Sequence, residues 1–204
     1  MSLLHYKKSK IKSVDGRLND AIHLMLSGFG QQTLIPVEEI LKNINRLPDA
    51  HISGLRTIEY DPKRENLLPS IITRFFQKAP KCCKGVFMQK KRKIVIYEFN
   101  SKPMFFHILF HEIGHFVYFL TLSSTLKKKW VTTLHKTKPF VTMLSKRNAA
   151  EDFAECYALY ITEPYLLKQS PQKYGFIHQH VFGNNLETEV DSHYFDGIAL
   201  DKTY

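Results

Sequence analysis

Two histidines and a glutamate, arranged as His111-Glu112-Ile113-Gly114-His115, are the residue types from which a hydrolytic metal centre is made. On an α-helix, residues four apart lie one above the other on one face, so His111 and His115 can direct two imidazoles at one ion. Glu112 sits beside the first of them, where it can take a proton from a water activated by that ion. The alternative is an amphipathic helix on which two histidines happen to flank a glutamate. The surrounding apolar stretch, Phe105 to Leu122, supplies the helix that the metal-binding arrangement requires.

A catalytic zinc site takes three protein ligands and keeps a fourth position for water. The third ligand is sought in Asn148-Ala149-Ala150-Glu151-Asp152-Phe153-Ala154-Glu155-Cys156-Tyr157-Ala158-Leu159-Tyr160. At about 100° per residue, Glu151 and Glu155 share a helix face with Ala154 and Ala158, while Phe153, Tyr157 and Tyr160 point away. The alanines let this helix approach another closely. A structural job is also open to Glu151: with Asn148 as N-cap it could close a capping box. Glu155 could equally be a solvated surface carboxylate.

Together, His111-Glu112-Ile113-Gly114-His115 and Glu151-Asp152-Phe153-Ala154-Glu155 resemble the gluzincin-type zinc metallopeptidases related to the anthrax lethal factor catalytic domain and the Pro-Pro endopeptidases. The resemblance runs from about Leu55 to Ile177. It implies a zincin-like α+β domain in which a small mixed sheet packs on the active-site helix. It also implies Zn²⁺ held by His111, His115 and Glu151, with Glu112 as general base and Glu155 supporting the site from beside it. Members of that group carry a tyrosine seven residues before the ligand glutamate, where its hydroxyl stabilises the oxyanion. Here the position is Leu144, and Tyr118, His135 and Tyr157 are the candidates to replace it. The metallopeptidases associated with phage-repressor cleavage have a similar layout, but the Glu151 to Glu155 string fits them less well.

The elements that must position these residues can be read in outline. Residues 1–13 are lysine-rich and polar, as expected of a loose arm. Helices are expected over Asp15 to Ser27, Pro36 to Arg46, Leu68 to Lys78, Lys127 to Leu134, Asn148 to Thr162 and Pro171 to Val181. Ile52 to Tyr60 reads as a strand, and Gly85 to Met88 with Lys93 to Phe99 as a hairpin that feeds the motif helix. Pro103 suits the first turn of that helix. The tail from Gly183 is acidic and turn-rich, with a turn at Asp196-Gly197. The expected organisation is an N-terminal arm and helices over 1–50 and the zincin-like domain over 51–204.

With 204 residues, the chain is long enough to bury a core without staples. No apolar run reaches the roughly 20 residues that span a bilayer, and the N-terminus lacks the apolar segment of a signal peptide. Cys82, Cys83 and Cys156 are too few for a disulfide framework and read as free thiols. Those features give a cytoplasmic expectation, with delivery to another cell by a non-classical route left open. Residues 1–100 carry 18 Lys and Arg against 9 Asp and Glu, whereas 101–204 carry 11 against 10. The basic surplus therefore precedes the motif. A polypeptide is the expected partner, with acidic segments favoured by Lys90-Lys91-Arg92-Lys93 if the following strand borders the cleft; nucleic acid is not expected.

His107 lies a turn before His111 and is two turns, about 12 Å, from His115, too far for all three to bind one ion; it reads as a supporting residue. His178, His180 and His193 read as surface residues. The reading is a zinc-dependent endopeptidase. Its alternative is a catalytically weak or inactive zincin-fold binding module that uses its basic face to hold a protein or nucleic-acid partner.

Overall fold

The computed structural model describes residues 4–8, 22–64 and 83–183. The chain divides into two compact units, Met1–Phe99 and Asn100–Tyr204. All described strands lie in the first, whereas the described elements of the second are helical, so the α+β class expected from the sequence holds.

Five strands form the sheet of the first unit: β1 (Leu4–Lys8), β2 (Ile22–Ser27), β3 (Thr57–Tyr60), β4 (Gly85–Met88) and β5 (Lys93–Ile96), in the order β1-β2-β3-β5-β4. β2, β3 and β5 run parallel, while β1 and β4 are antiparallel to their neighbours. Ile94, Val95 and Ile96 are buried in succession, as expected of a strand covered on both faces. The expected hairpin is present, turning through Gln89–Lys91 with Arg92 in the left-handed region. Gly28 ends β2 at φ +79, and a Cβ there would meet the carbonyl oxygen of Tyr60 at 2.1 Å. Only glycine fits that close approach. Helix α1 (Val37–Asn45) buries Ile40 and Ile44.

Three expectations for this half are corrected. The helix expected over Asp15 to Ser27 is instead a strand from Ile22 onward. Leu24 and Leu26 alternate inward, and β2 is paired on both sides by β1 and β3. A short apolar run fits either period, and here pairing with distant segments decides it. Residues 4–8 of the expected loose arm form the edge strand β1. The strand expected over Ile52 to Tyr60 begins only at Thr57, because Asp49–His51 forms a 3-10 turn and Gly54 takes φ +83. The helix expected over 68–78 and the turn at Asp196-Gly197 lie outside the described residues.

In the second unit the motif helix, α2 (Lys102–Phe116), starts at Ser101, whose hydroxyl accepts from the Met104 N–H, with Pro103 in its first turn. It leaves α geometry at Val117 for a wider π turn through Thr121. Next come α3 (Ser124–Lys129), capped by Ser123, and a second π turn, Trp130–Leu134. The axes of Lys102–Thr121 and Ser124–Leu134 meet at 119°. α4 (Ala149–Thr162) is capped by Asn148 and stopped before Pro164; α5 (Pro164–Leu167) and α6 (Pro171–Phe176) follow, the last running into a π turn over Ile177–Val181.

α2 and α4 pack closely where glycine meets alanine. A Cβ on Gly114 would lie 2.9 Å from Ala154 Cα and 3.1 Å from Tyr157 Cβ. Phe153, Tyr157 and Tyr160 are fully buried, but Tyr157, expected to point away with the other two, has its Cβ at the contact with α2. Trp130 fills the core between Phe153 and Phe176 and donates from its indole N–H to the Ala149 carbonyl at 3.0 Å.

Candidate metal centre

The close contact at Gly114 brings the ligand face of α4 against that of α2. His111, His115 and Glu151 converge there, with one potential ligand atom of each within 4.8 Å of the others. Glu151 Oε2 lies 3.3 Å from His111 Nε2 and 3.4 Å from His115 Nε2. A zinc ion bound tetrahedrally at 2.0–2.1 Å separates neighbouring ligand atoms by about 3.3 Å. The two edges shared by Glu151 therefore already have the length that a tetrahedral ion demands, so the residues fit a small divalent metal.

Each ligand side chain is held by something definite. The Asn148 side chain accepts from the N–H groups of Ala150 and Glu151, both at 3.0 Å. The backbone N–H of Glu151 is thus held by the cap, while its carboxylate turns to the imidazoles instead of closing the capping box weighed from the sequence. His111 donates from Nδ1 to Glu155 Oε1 at 2.7 Å. That bond fixes the ring and leaves Nε2 for the metal side, a role that outer carboxylates commonly play. Glu155 is buried, not a solvated surface group, and its Oε1 also lies 3.4 Å from His107 Nε2. His107 therefore touches the supporting carboxylate and not the ligand cluster. Among the described residues His115 has no such carboxylate: its Nδ1 is buried without a hydrogen-bond partner there. Its ring packs edge-on against His111 and is stacked on Phe119.

The charges of these side chains are coupled to one another. Burial works against charge on His111, but hydrogen bonds with Glu151 and Glu155 outweigh it and hold its pKa well above the usual histidine value. Burial likewise pushes Glu151 and Glu155 up, yet the imidazoles beside them carry both below the ordinary carboxylate range. Glu155 thus stays an anion in a buried place and Glu151 in a half-buried one, each balanced by the positive charge that their hydrogen bonds favour on His111. Glu112 is buried on α2 next to His111.

The other residues singled out from the sequence fall into place around this core. Tyr157 is fully buried, with its ring between Phe153 and Phe182, and belongs to the packing beneath the site. Tyr118 packs on Phe153 and Phe119. His135 Nδ1 lies 3.4 Å from Asp152 Oδ2. Leu144 opens the 3-10 turn Leu144–Lys146 before the Asn148 cap and is half-buried. His178 is not the free surface residue expected; its Nδ1 is 2.7 Å from the Tyr160 hydroxyl, and its ring stacks on Tyr174. His180 is exposed, and His193 lies outside the described residues. Cys156 is buried, and burial raises its thiol pKa well above the usual value.

The sequence reading missed one charged pair. Asp152, next to Glu151, meets Lys173 at 2.7 Å with both side chains fully buried. The residues stand 21 positions apart on different helices, and no local spacing announces them.

No protein-family profile matches this chain, and no curated protein matches it.

Proposed function

We propose that this chain is a zinc-dependent endopeptidase, with His111, His115 and Glu151 as the zinc ligands and Glu112 as the general base. The observation that carries the reading is the cluster of two imidazoles and one carboxylate, its two carboxylate–imidazole edges at tetrahedral length, with a buried glutamate next in sequence to the first imidazole. Two nitrogens and one oxygen are a donor set that suits zinc and leaves a fourth position open. A zinc ion held there would supply a Lewis acid that acidifies water and polarises a carbonyl.

The protein's own residues do the rest. With zinc bound, Glu155 would hold His111 in the tautomer that donates from Nδ1 and turns its Nε2 lone pair to the ion. Glu112 accepts a proton from the attacking water and returns it to the departing amine, so peptide nitrogen leaves as a neutral group. The paired motifs are the basis of the likeness to lethal factor-type peptidases.

The test is a comparison of the wild-type chain with Glu112→Gln. The amide keeps the shape of the carboxylate but cannot take up the proton. We expect one zinc per chain in both proteins and a loss of peptide hydrolysis of about a hundredfold to ten-thousandfold in the variant. Equal cleavage by the two would place the activity elsewhere, and a wild-type chain without metal would remove the basis of the reading.

A further inference from the structure

The stripe of α2 that carries His107, His111 and His115 continues to Phe119, four residues beyond the last ligand. Phe119 sits in the π turn Val117–Thr121, a kind of local widening frequent at functional sites. Its ring is stacked on that of His115, with centroids 6.1 Å apart and planes at 23°. Yet it is 41% exposed, and the adjacent Leu120 is 40% exposed. Single apolar side chains on a surface are ordinary. Two in succession, the first resting on a metal-site imidazole, make an apolar wall at the edge of the centre. The next helix brings charge to the same place. After the sharp bend, α3 carries Lys127, Lys128 and Lys129. Lys127 Nζ lies 3.4 Å from the Phe119 carbonyl oxygen and 5.3 Å from the Tyr118 ring centroid. Lys128 is exposed.

We propose that Phe119 and Lys127 form a substrate-selecting wall. It takes peptides with a bulky apolar side chain next to the scissile bond and an acidic side chain within about three residues of it. An extended peptide advances about 3.3 Å per residue, so a chain whose apolar residue lies on Phe119 reaches the Lys127 ammonium group within that distance. The inference rests on the peptidase reading and names the substrate class of the same site. It places the acidic preference on α3, beside the metal centre, and not on the Lys90 to Lys93 turn.

The probes are short peptide hydroxamates, which anchor on zinc without needing to be cleaved. The residue beside the chelating group is Leu, Phe, Gly or Asp, and the next is Glu or Lys. Binding to the zinc-loaded chain is measured by calorimetry. We expect Leu and Phe to bind at least about tenfold tighter than Gly, the equivalent of burying roughly two methylene groups. Phe119→Ala should shrink that ratio to about twofold with zinc content unchanged, and Phe119→Leu should restore it. The preference for Glu over Lys should vanish in Lys127→Gln and fade at high salt.

Side-chain-independent binding would overturn the proposal. So would loss of zinc in Phe119→Ala, which would make the ring a prop for His115 alone. Cleavage of a peptide library separates this inference from the reading beneath it. Vigorous cleavage that ignores the neighbouring residue defeats the wall and leaves the peptidase. The expected order of hydroxamate binding with no peptide cleaved defeats the peptidase and leaves the wall.

Discussion

Glu151 and Glu155 lie one turn apart on α4 and face opposite nitrogens of His111, so their removal should have unequal results. Alanine at His111, His115 or Glu151 takes away one atom of the proposed ligand set, and we expect metal analysis to find little or no zinc in each variant. Glu155→Ala removes only the acceptor that orients His111. Losses of that kind typically weaken metal binding about ten- to a hundredfold, so this variant should still fill with zinc at higher concentration. Full loss in Glu155→Ala with retention in Glu151→Ala would exchange the two roles. Gly114 acts at the same scale through its missing side chain. A methyl group there would press on Ala154 Cα at 2.9 Å, a backbone atom that cannot swing aside. Overpacking of this kind costs about 1–3 kcal/mol, and because it parts α2 from α4 it should lower zinc affinity along with the melting temperature. A Gly114→Ala protein with unchanged melting and metal binding would show that the helices are not so closely set.

Among the elements, α4 is held at its start by three unlike partners: the Asn148 cap, the Trp130 indole and Lys173 on α6. Burial raises the Asp152 pKa, with Lys173 and His135 opposing it, which means that desolvation is not fully offset by attraction. Removing one member of such a pair usually costs about 3–5 kcal/mol, whereas an apolar replacement of both is often neutral. Lys173→Met should therefore unfold far more easily than wild type in urea, and Asp152→Leu combined with Lys173→Met should recover most of the loss. If the double variant is no better than the single, Lys173 acts through something other than Asp152. These elements also mark how much could be read in the chain. α4 was legible because its cap, its alanines and its carboxylates all lie within a few residues. The motif helix was legible for the same reason. β2 was not, since Ile22, Met25 and Leu26 stand at helical spacing and only pairing with β1 and β3 selects the strand period. The π turns were not legible either, because no residue type marks them. The contacts of His111 with Glu155, and of Asp152 with Lys173, depend on how helices meet, which no local pattern records.

Across the whole molecule, the ligand cluster lies entirely in the unit Asn100–Tyr204, the half of the chain with nearly balanced charge. No single helix among the described residues is long and apolar enough to cross a membrane. Ligand binding to the folded state alone stabilises it by about 4 kcal/mol at a thousandfold excess over the dissociation constant. For a unit of this size each kcal/mol moves the transition by several degrees, about 4–8 °C. Calorimetry should therefore show a transition at least about 10 °C higher with zinc than after chelation, and identical traces would argue that the cluster binds no metal. Trp130 offers a way to follow the same event in light. It is the sole tryptophan of the chain, sealed from water and tied by its indole N–H to the first residue of the helix that bears Glu151. The tryptophan fluorescence of this protein, excited apart from its ten tyrosines, thus comes with one address. Its colour and intensity should report, without any label, each loosening or tightening of the helix that completes the site.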